Sequence, residues 1–402
     1  MILIKRQEYL SQLLNFKDER LIKVVSGVRR CGKSTLLLQF MDFLKENGIG
    51  DSQIIYINFE DMDFANLNTA QKLHKYVVSK MQENKKNYII LDEIQNVKKF
   101  EKAVDSLFIK KNTDIYITGS NAKFLSGELA TLLSGRYVEI SMLPLSFKEY
   151  VSFTGKTDLE KKYVDYIMLG SFPQIIYFGG DANKVRAYLD GIYSTVVLKD
   201  ILSRRKIADT FAFNNVARFI FDNIGNLLST NRIANIMSSS GKEINTRTVK
   251  SYLEAMADAF IIYKAKRFDI KGGEYLKTGD KYYLCDIGLR YYLLGNKNTD
   301  FGHILENIVY LELRRRGFNV YIGKAGEKEI DFVAQSGSKT EYYQVAYSIK
   351  EKDTLERELN PLKSIRNHYP KYLITLDNAP PVDYNGIRSI NALEWLMQPA
   401  PP

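Results

Sequence analysis

Along the first third of the chain, short apolar runs alternate with stretches whose apolar residues return every three or four positions. The runs "LIKVVSG", "QIIYINFE", "YIILDEI", "DIYITGS" and "YVEISML" end at about Ser141 and read as buried strands. The helical patterns between them predict an α/β domain with a parallel sheet covered on both faces. After Pro144 the pattern changes to amphipathic helices, "SFKEYVSF", "LEKKYVDYIML" and "ANKVRAYLDGIYSTVVLKDIL", which read as a helical lid. From Thr210 to about Asp286 come short helices and two strand-like runs, and from His303 an α/β pattern returns. There is no internal repeat, and the tail "PAPP" is the one low-complexity segment.

The first strand leads into "VVSGVRRCGKSTLLLQF". Gly27, Gly32, Lys33 and Ser34 match G-x-x-x-x-G-K-[ST], with a strand before and a helix after. That order is what phosphate binding needs. The N–H groups of Gly27, Val28, Arg29, Arg30, Cys31, Gly32, Lys33, Ser34 and Thr35 can converge on a phosphate as an anion nest. Lys33 is placed to neutralise β and γ oxygens, and the Ser34 hydroxyl to complete a Mg²⁺ shell. ATP and Mg²⁺ are the expected cofactors. Two readings stand for Cys31: a redox-sensitive thiol, or a small residue filling the loop.

In "YIILDEIQ", apolar residues lead into Asp92 and Glu93 at a strand's carboxyl end, where ligands meet open α/β sheets. Asp92 is placed to hold Mg²⁺ through water, and Glu93 to polarise the attacking water. The next strand ends in Thr118, Gly119, Ser120 and Asn121, where Ser120 or Asn121 is a candidate to sit between the γ-phosphate and the water. A capping turn explains the same residues equally well. Asn58, ending "IIYIN", is a candidate restraint on Glu93.

The chain resembles the bacterial and archaeal AAA+-like ATPases in which an AAA domain precedes a C-terminal domain of unknown function. The resemblance covers nearly the whole chain and rests on "GVRRCGKST", "YIILDEIQ", "ITGSNAKFLS", "LSGRYVEISMLPLSFKEY", "YLDGIYSTVVLKDI", "YYLCDIGLR" and "EIDFVAQ". It implies an AAA+-like P-loop ATPase domain over 1–143, a helical lid over 144–209, a winged-helix domain over 210–300 and a restriction-endonuclease-like domain over 301–402. It also implies that Arg136, after the helix expected in "KFLSGELATLLSG", is an arginine finger reaching a neighbouring chain's γ-phosphate in a homo-oligomer. A surface arginine is the other reading.

In "STNRIANIMSSSGKEINTRTVKSYLEAMADAFIIYKAKRF", Val249, Tyr252, Leu253, Met256 and Phe260 form the apolar stripe of a second helix. Thr246, Arg247, Lys250 and Ser251 then face outward, and Lys264, Lys266 and Arg267 follow as a basic wing, suited to DNA or RNA. A protein dock is the alternative. Further on, a helix carrying Glu306 and three strands are similar to restriction-endonuclease-like nucleases, which pair an aspartate with a second carboxylate and a lysine. Asp331 fits the aspartate, but Gln344 and Ala346 replace the other two, and Lys350 is expected on the same strand too far along to substitute. The expectation is a nuclease-like module without nuclease activity.

Composition narrows this further. The 402 residues carry a net charge of +10, which favours polyanionic partners. No apolar run approaches a membrane span, and "MILIKRQEYL" lacks the features of a signal peptide. Two cysteines exclude a disulfide scaffold and fit a reducing cytoplasm.

Overall fold

The computed structural model describes residues 4–122, 133, 135–155, 158–202, 207, 209–239, 244–276, 279–295 and 301–399. Most of the helix expected in "KFLSGELATLLSG", and the last three residues of the "PAPP" tail, lie outside them. The chain divides into two compact units, Met1–Leu143 with Asp258–Phe260, and Pro144–Ala257 with Ile261–Pro402.

The first unit runs α1 (Gln7–Asn15), β1 (Ile22–Ser26), α2 (Lys33–Glu46), β2 (Ile54–Asn58), α3 (Ala70–Lys80), β3 (Asn87–Asp92), α4 (Phe100–Ile109), β4 (Thr113–Gly119) and β5 (Tyr137–Ser141). Its five strands form one parallel sheet in the order β2-β3-β4-β1-β5. Every residue of β1 and β3 is buried, as continuous apolar runs require in a sheet covered on both faces. Ile57, Leu91, Ile117 and Val24 share one core with Leu73 of α3 and Leu107 of α4. Ser26 is in register with Gly119, and Leu91 with Ile117. The loops after β1, β3 and β4 therefore open at the same carboxyl-terminal edge.

Lys23 breaks the apolar run of β1. It is fully buried, and its ammonium pairs with the Asp114 carboxylate on β4 and donates 2.8 Å to the Glu19 carbonyl. The second Asp114 oxygen accepts from the Tyr116 hydroxyl and the Asp18 N–H, each at 2.9 Å. Burial pushes the Lys23 amine down, and Asp114 opposes it.

The second unit begins with α5 (Phe147–Thr154), α6 (Leu159–Leu169), α7 (Ala182–Ile192), α8 (Thr210–Asp222), α9 (Thr230–Ser239) and α10 (Thr246–Asp258). Strands β6 (Ile262–Ala265), β7 (Arg267–Asp269), β8 (Glu274–Tyr275) and β9 (Lys281–Leu284) follow. Then come α11 (Ile287–Leu294), α12 (Phe301–Arg315), β10 (Asn319–Ala325), β11 (Lys328–Ser336), β12 (Lys339–Ala346) and α13 (Lys352–Lys363). The unit ends with β13 (Lys371–Thr375), β14 (Val382–Asp383), β15 (Ile387–Asn391) and α14 (Ala392–Met397).

The "PLSFKEY" segment starts α5 through a reciprocal cap. Ser146 Oγ accepts from the Glu149 N–H at 3.0 Å, and the Glu149 carboxylate accepts from the Ser146 N–H at 2.8 Å. Val249, Tyr252, Leu253 and Met256 form the buried stripe of α10, while Phe260 lies past its end with a positive φ of 57°. β6 pairs with β9 in a two-stranded ribbon. One residue later, β7 pairs with β8 and β10 in an eight-stranded sheet ordered β14-β15-β13-β12-β11-β10-β7-β8. The run expected to form a projecting wing is thus split between two sheets. Helix α12 is buried along most of its length, and Tyr310 stacks 4.2 Å from Tyr283 of β9. Leu359 and Leu362 of α13 share a core with Ile330, Val333 and Leu373.

The Lys23–Asp114 pair generates a stability prediction. Asp114→Ala strands a buried ammonium and should cost about 3–5 kcal/mol in urea unfolding. Lys23→Met combined with Asp114→Asn removes both charges, keeps one acceptor oxygen for Tyr116 and Asp18, and should recover most of that loss. A double variant as unstable as the single one would contradict the pair's role.

Candidate functional site

The loop between β1 and α2 is shaped by its glycines. Gly27 has φ 148°, and a Cβ there would meet the Met142 carbonyl oxygen at 2.1 Å. Gly32 caps α2 at φ 103°. Arg6 braces the loop from outside, donating 2.9 Å to the carbonyls of Cys31 and Leu143. No sequence pattern signalled that brace. Val28 and Cys31 are fully buried, Arg30 is exposed with φ 69°, and Arg29 pairs with Glu60. Burial pushes the Cys31 thiol up despite nearby Lys33 and Arg6. A closed, protonated thiol fills space in the loop, and the redox-switch reading does not fit it.

Lys33 is the first residue of α2 and is 3% exposed. Its Nζ donates to the carbonyls of Gly27 at 3.0 Å and Val28 at 3.3 Å, and lies 3.6 Å from Glu93 Oε1. Ser34 and Thr35 are half-buried beside it, and the Ser34 hydroxyl is near enough to Asp92 to favour its charged form. Asp92 is fully buried, accepting 2.5 Å from Thr118 Oγ1 and 3.3 Å from the Tyr56 hydroxyl. Burial raises the Asp92 carboxyl, and the Thr118 bond and the nearby Ser34 hydroxyl offset part of the rise.

Glu93 follows at φ 54°, its N–H donating 2.8 Å to Thr118 Oγ1. Thr118 thus clamps both acids from β4. Ser120 Oγ donates 3.1 Å to Glu93 Oε2, and Gln95 Nε2 donates to the same oxygen. Burial works to raise the Glu93 carboxyl, but Lys33, Gln95, Ser120 and Arg29 outweigh it and hold it below its ordinary range. Asn121 comes next after Ser120, half-buried. Asn58 does not restrain Glu93, because its Oδ1 turns to accept 2.9 Å from the Glu60 N–H. The restraint comes from Ser120 and Gln95.

Arg136 precedes β5, whose first residue is in register with Ile22 at the start of β1. It therefore sits at the sheet edge opposite Lys33, more than about 13 Å away at ~3.3 Å per strand residue. Its guanidinium pairs with Asp105 at 2.5 Å and lies over the Phe108 ring. From that edge it cannot reach a phosphate on its own loop.

The second unit holds a cleft of about 940 Å³ over β11, β12 and α12. Lys281 of β9 stands in it, 2.9 Å from Glu306, 2.9 Å from Glu329 and 3.8 Å from Asp331. Burial works against the Lys281 charge, but Glu306, Asp331 and Glu329 outweigh it and raise its pKa. Asp331 Oδ2 accepts 2.8 Å from the Val345 N–H, and Gln344 Nε2 donates 3.0 Å to Glu358. Ala346 ends β12. Lys350 is not on that strand, contrary to expectation. It lies past the strand's end, exposed, 4.0 Å from Asp377.

On α10, Arg247 and Lys250 are exposed, Lys250 lying 3.9 Å from Glu254. Thr246 and Ser251 are half-buried. Lys264 pairs with Asp280 at 2.7 Å, Lys266 is exposed, and Arg267 is half-buried in β7. Among the described residues no helix is long and apolar enough to cross a membrane.

Residues 19–151 match the AAA domain family, and residues 160–300 match a domain of unknown function. An uncharacterized protein of Haemophilus influenzae is 42% identical over 401 residues, 98% of this chain and 99% of its own. An uncharacterized protein of Methanocaldococcus jannaschii is 33% identical over 358 residues, 84% of this chain and 77% of its own. The Walker-type ATPase of Pyrococcus abyssi superposes with a TM-score of 0.51 at 17% identity, covering 72% of this chain and 95% of that one, a likeness of fold. With its phosphate loop, its acidic pair and its parallel sheet, the chain belongs to the AAA+-like P-loop ATPases in which an AAA domain is followed by a domain of unknown function.

Proposed function

We propose that the chain binds and hydrolyses Mg-ATP and uses the cycle as a nucleotide-driven conformational switch or motor. The observation that carries this reading is the meeting of Lys33, Ser34, Asp92 and Glu93 at one sheet edge. Loop N–H groups receive the β-phosphate, and Lys33 exchanges the Gly27 and Val28 carbonyls for β and γ oxygens. Ser34 and Asp92 lie at the same sheet edge, and as hard oxygen donors they fit Mg²⁺, which would neutralise phosphate charge when bound. Glu93 takes the proton of the attacking water. Ser120 holds Glu93, and Asn121 is placed to approach the γ-phosphate. Arg136 acts, on this reading, on the nucleotide of a neighbouring copy, which calls for a homo-oligomer.

Residues 144–209 serve as a helical lid, 210–300 as a winged helix and 301–402 as a restriction-endonuclease-like module. DNA or RNA is the first partner class, supported by the +10 charge and the exposed Arg247, Lys250 and Lys266. A second reading, a scaffold whose nucleotide state gates protein assembly, is favoured by the Lys264–Asp280 pair and by Arg267's place in a sheet. Both weaken the wing as a nucleic-acid grip. The nuclease-like cleft does not fit the metal its fold class implies, because the Lys281 ammonium stands among the carboxylates that would hold it. We place the protein in the cytoplasm.

Lys33→Ala should weaken ATP binding about 10- to 100-fold, the effect of losing a charged hydrogen bond of about 1.5–3 kcal/mol. Glu93→Gln should bind ATP normally and turn over about 10²- to 10⁴-fold more slowly. Near-normal turnover by Glu93→Gln would remove it as the base.

If nucleic acid is the partner, DNA affinity should fall steeply with salt as counterions are released. Arg247→Ala and Lys266→Ala should each shallow that slope by about one unit. Slopes identical to wild type, with an altered assembly state instead, would select the scaffold reading.

No Mg²⁺- or Mn²⁺-dependent cleavage of DNA or RNA is expected from the purified chain. Cleavage that persists in Lys33→Ala and disappears in Asp331→Asn would make the cleft a working nuclease.

A further inference from the structure

The turn after β3 carries a side chain that restrains Glu93 with one polar end and leaves its other polar end without a partner among the described residues. Gln95 lies in the short 3-10 turn Ile94–Asn96, entered through Glu93 at φ 54°. This turn folds Gln95 back onto the carboxylate before it. Its Nε2 donates to Glu93 Oε2 and lies 3.4 Å from Ser120 Oγ, which donates to the same Glu93 oxygen.

The orientation of the Gln95 amide follows from its neighbour. An ionised carboxylate only accepts hydrogen bonds, so the amide nitrogen must face it. The other end, Oε1, is then left buried, and it accepts no hydrogen bond from any described residue. Buried carbonyl oxygens in folded proteins are nearly always paired, so this acceptor calls for a donor at the site. A water held beside Glu93 would supply one.

We propose that Gln95 orients the attacking water, an assignment that rests on the ATPase reading above. Nε2 stays anchored on Glu93 Oε2, and Oε1 accepts one O–H of the water. The second O–H points to Glu93 Oε1, the carboxylate oxygen on the Lys33 side. Two acceptors fix both protons, which aims a lone pair of the water oxygen at the γ-phosphorus. In the step, the water oxygen bonds to the γ-phosphorus and the bond to the β–γ bridging oxygen breaks. ADP leaves with that electron pair, the water proton passes to Glu93, and the products are ADP and inorganic phosphate.

The test is Gln95→Met, which keeps the side chain's length and removes both polar ends. Turnover should fall about 10- to 100-fold, the scale of losing one oriented hydrogen-bonding group. The KM for ATP and the melting temperature should stay near wild type, since the residue does not hold the nucleotide. In a Glu93→Gln background, Gln95→Met should cause little further loss, because both act on the same water. Wild-type turnover with an unimpaired Gln95→Met, or a Gln95→Met defect confined to KM or stability, overturns the Gln95 assignment and leaves the ATPase reading intact. Independent, multiplicative losses in the double variant overturn it as well. A wild-type chain that binds ATP and hydrolyses none overturns the ATPase reading itself, and this assignment with it.

Discussion

The phosphate loop has its shape because backbone is pressed against backbone where β1 and β5 end. No side chain fits between Gly27 and the Met142 carbonyl. Arg6 ties the Cys31 and Leu143 carbonyls on either side of that contact. With the loop held from behind, its carbonyls and N–H groups can face one direction. Lys33, at the first turn of α2, then has a fixed place from which to reach both loop and acid.

Three buried lysines show how the same residue type takes different roles. Lys23 is matched by one carboxylate in a closed sheet, and it contributes no chemistry. Lys33 is matched loosely, by two carbonyls and a carboxylate at 3.6 Å, so its charge remains available to a stronger anion. Lys281 is surrounded by three carboxylates, which outweigh its burial and hold its charge. The number and closeness of the partners decide the outcome, since a buried ammonium must be compensated before it can do anything else.

What was legible in the sequence was local. The phosphate loop, the Asp92–Glu93 pair and the five strands of the first sheet are each encoded within a few consecutive residues. Their parallel arrangement follows from strand and helix alternation. The residues that were missed act through tertiary contact. Arg6 meets the loop 25 positions away, Thr118 meets Asp92 across 26, and Lys281 reaches Glu306 across 25. Asn58 looked suitable because it ends a strand beside β3, but its side chain serves its own turn. Gln95 was in plain view within "YIILDEIQ", yet only the turn that reverses it onto Glu93 gives it meaning. Strand pairing was the least legible feature, since "FIIYKAKRF" contains two strands whose partners lie in different sheets.

That last feature bears on where the second half of the chain can be divided. Lys266 alone separates the ribbon strand β6 from the sheet strand β7. All eight strands of the sheet lie after Lys266, whereas the ribbon is closed across it, because β6 precedes it and β9 follows. A cut at Lys266 would therefore leave that sheet whole and part β6 from β9. A shift of the ribbon is transmitted to the sheet through a single peptide-length linker with no slack to absorb it.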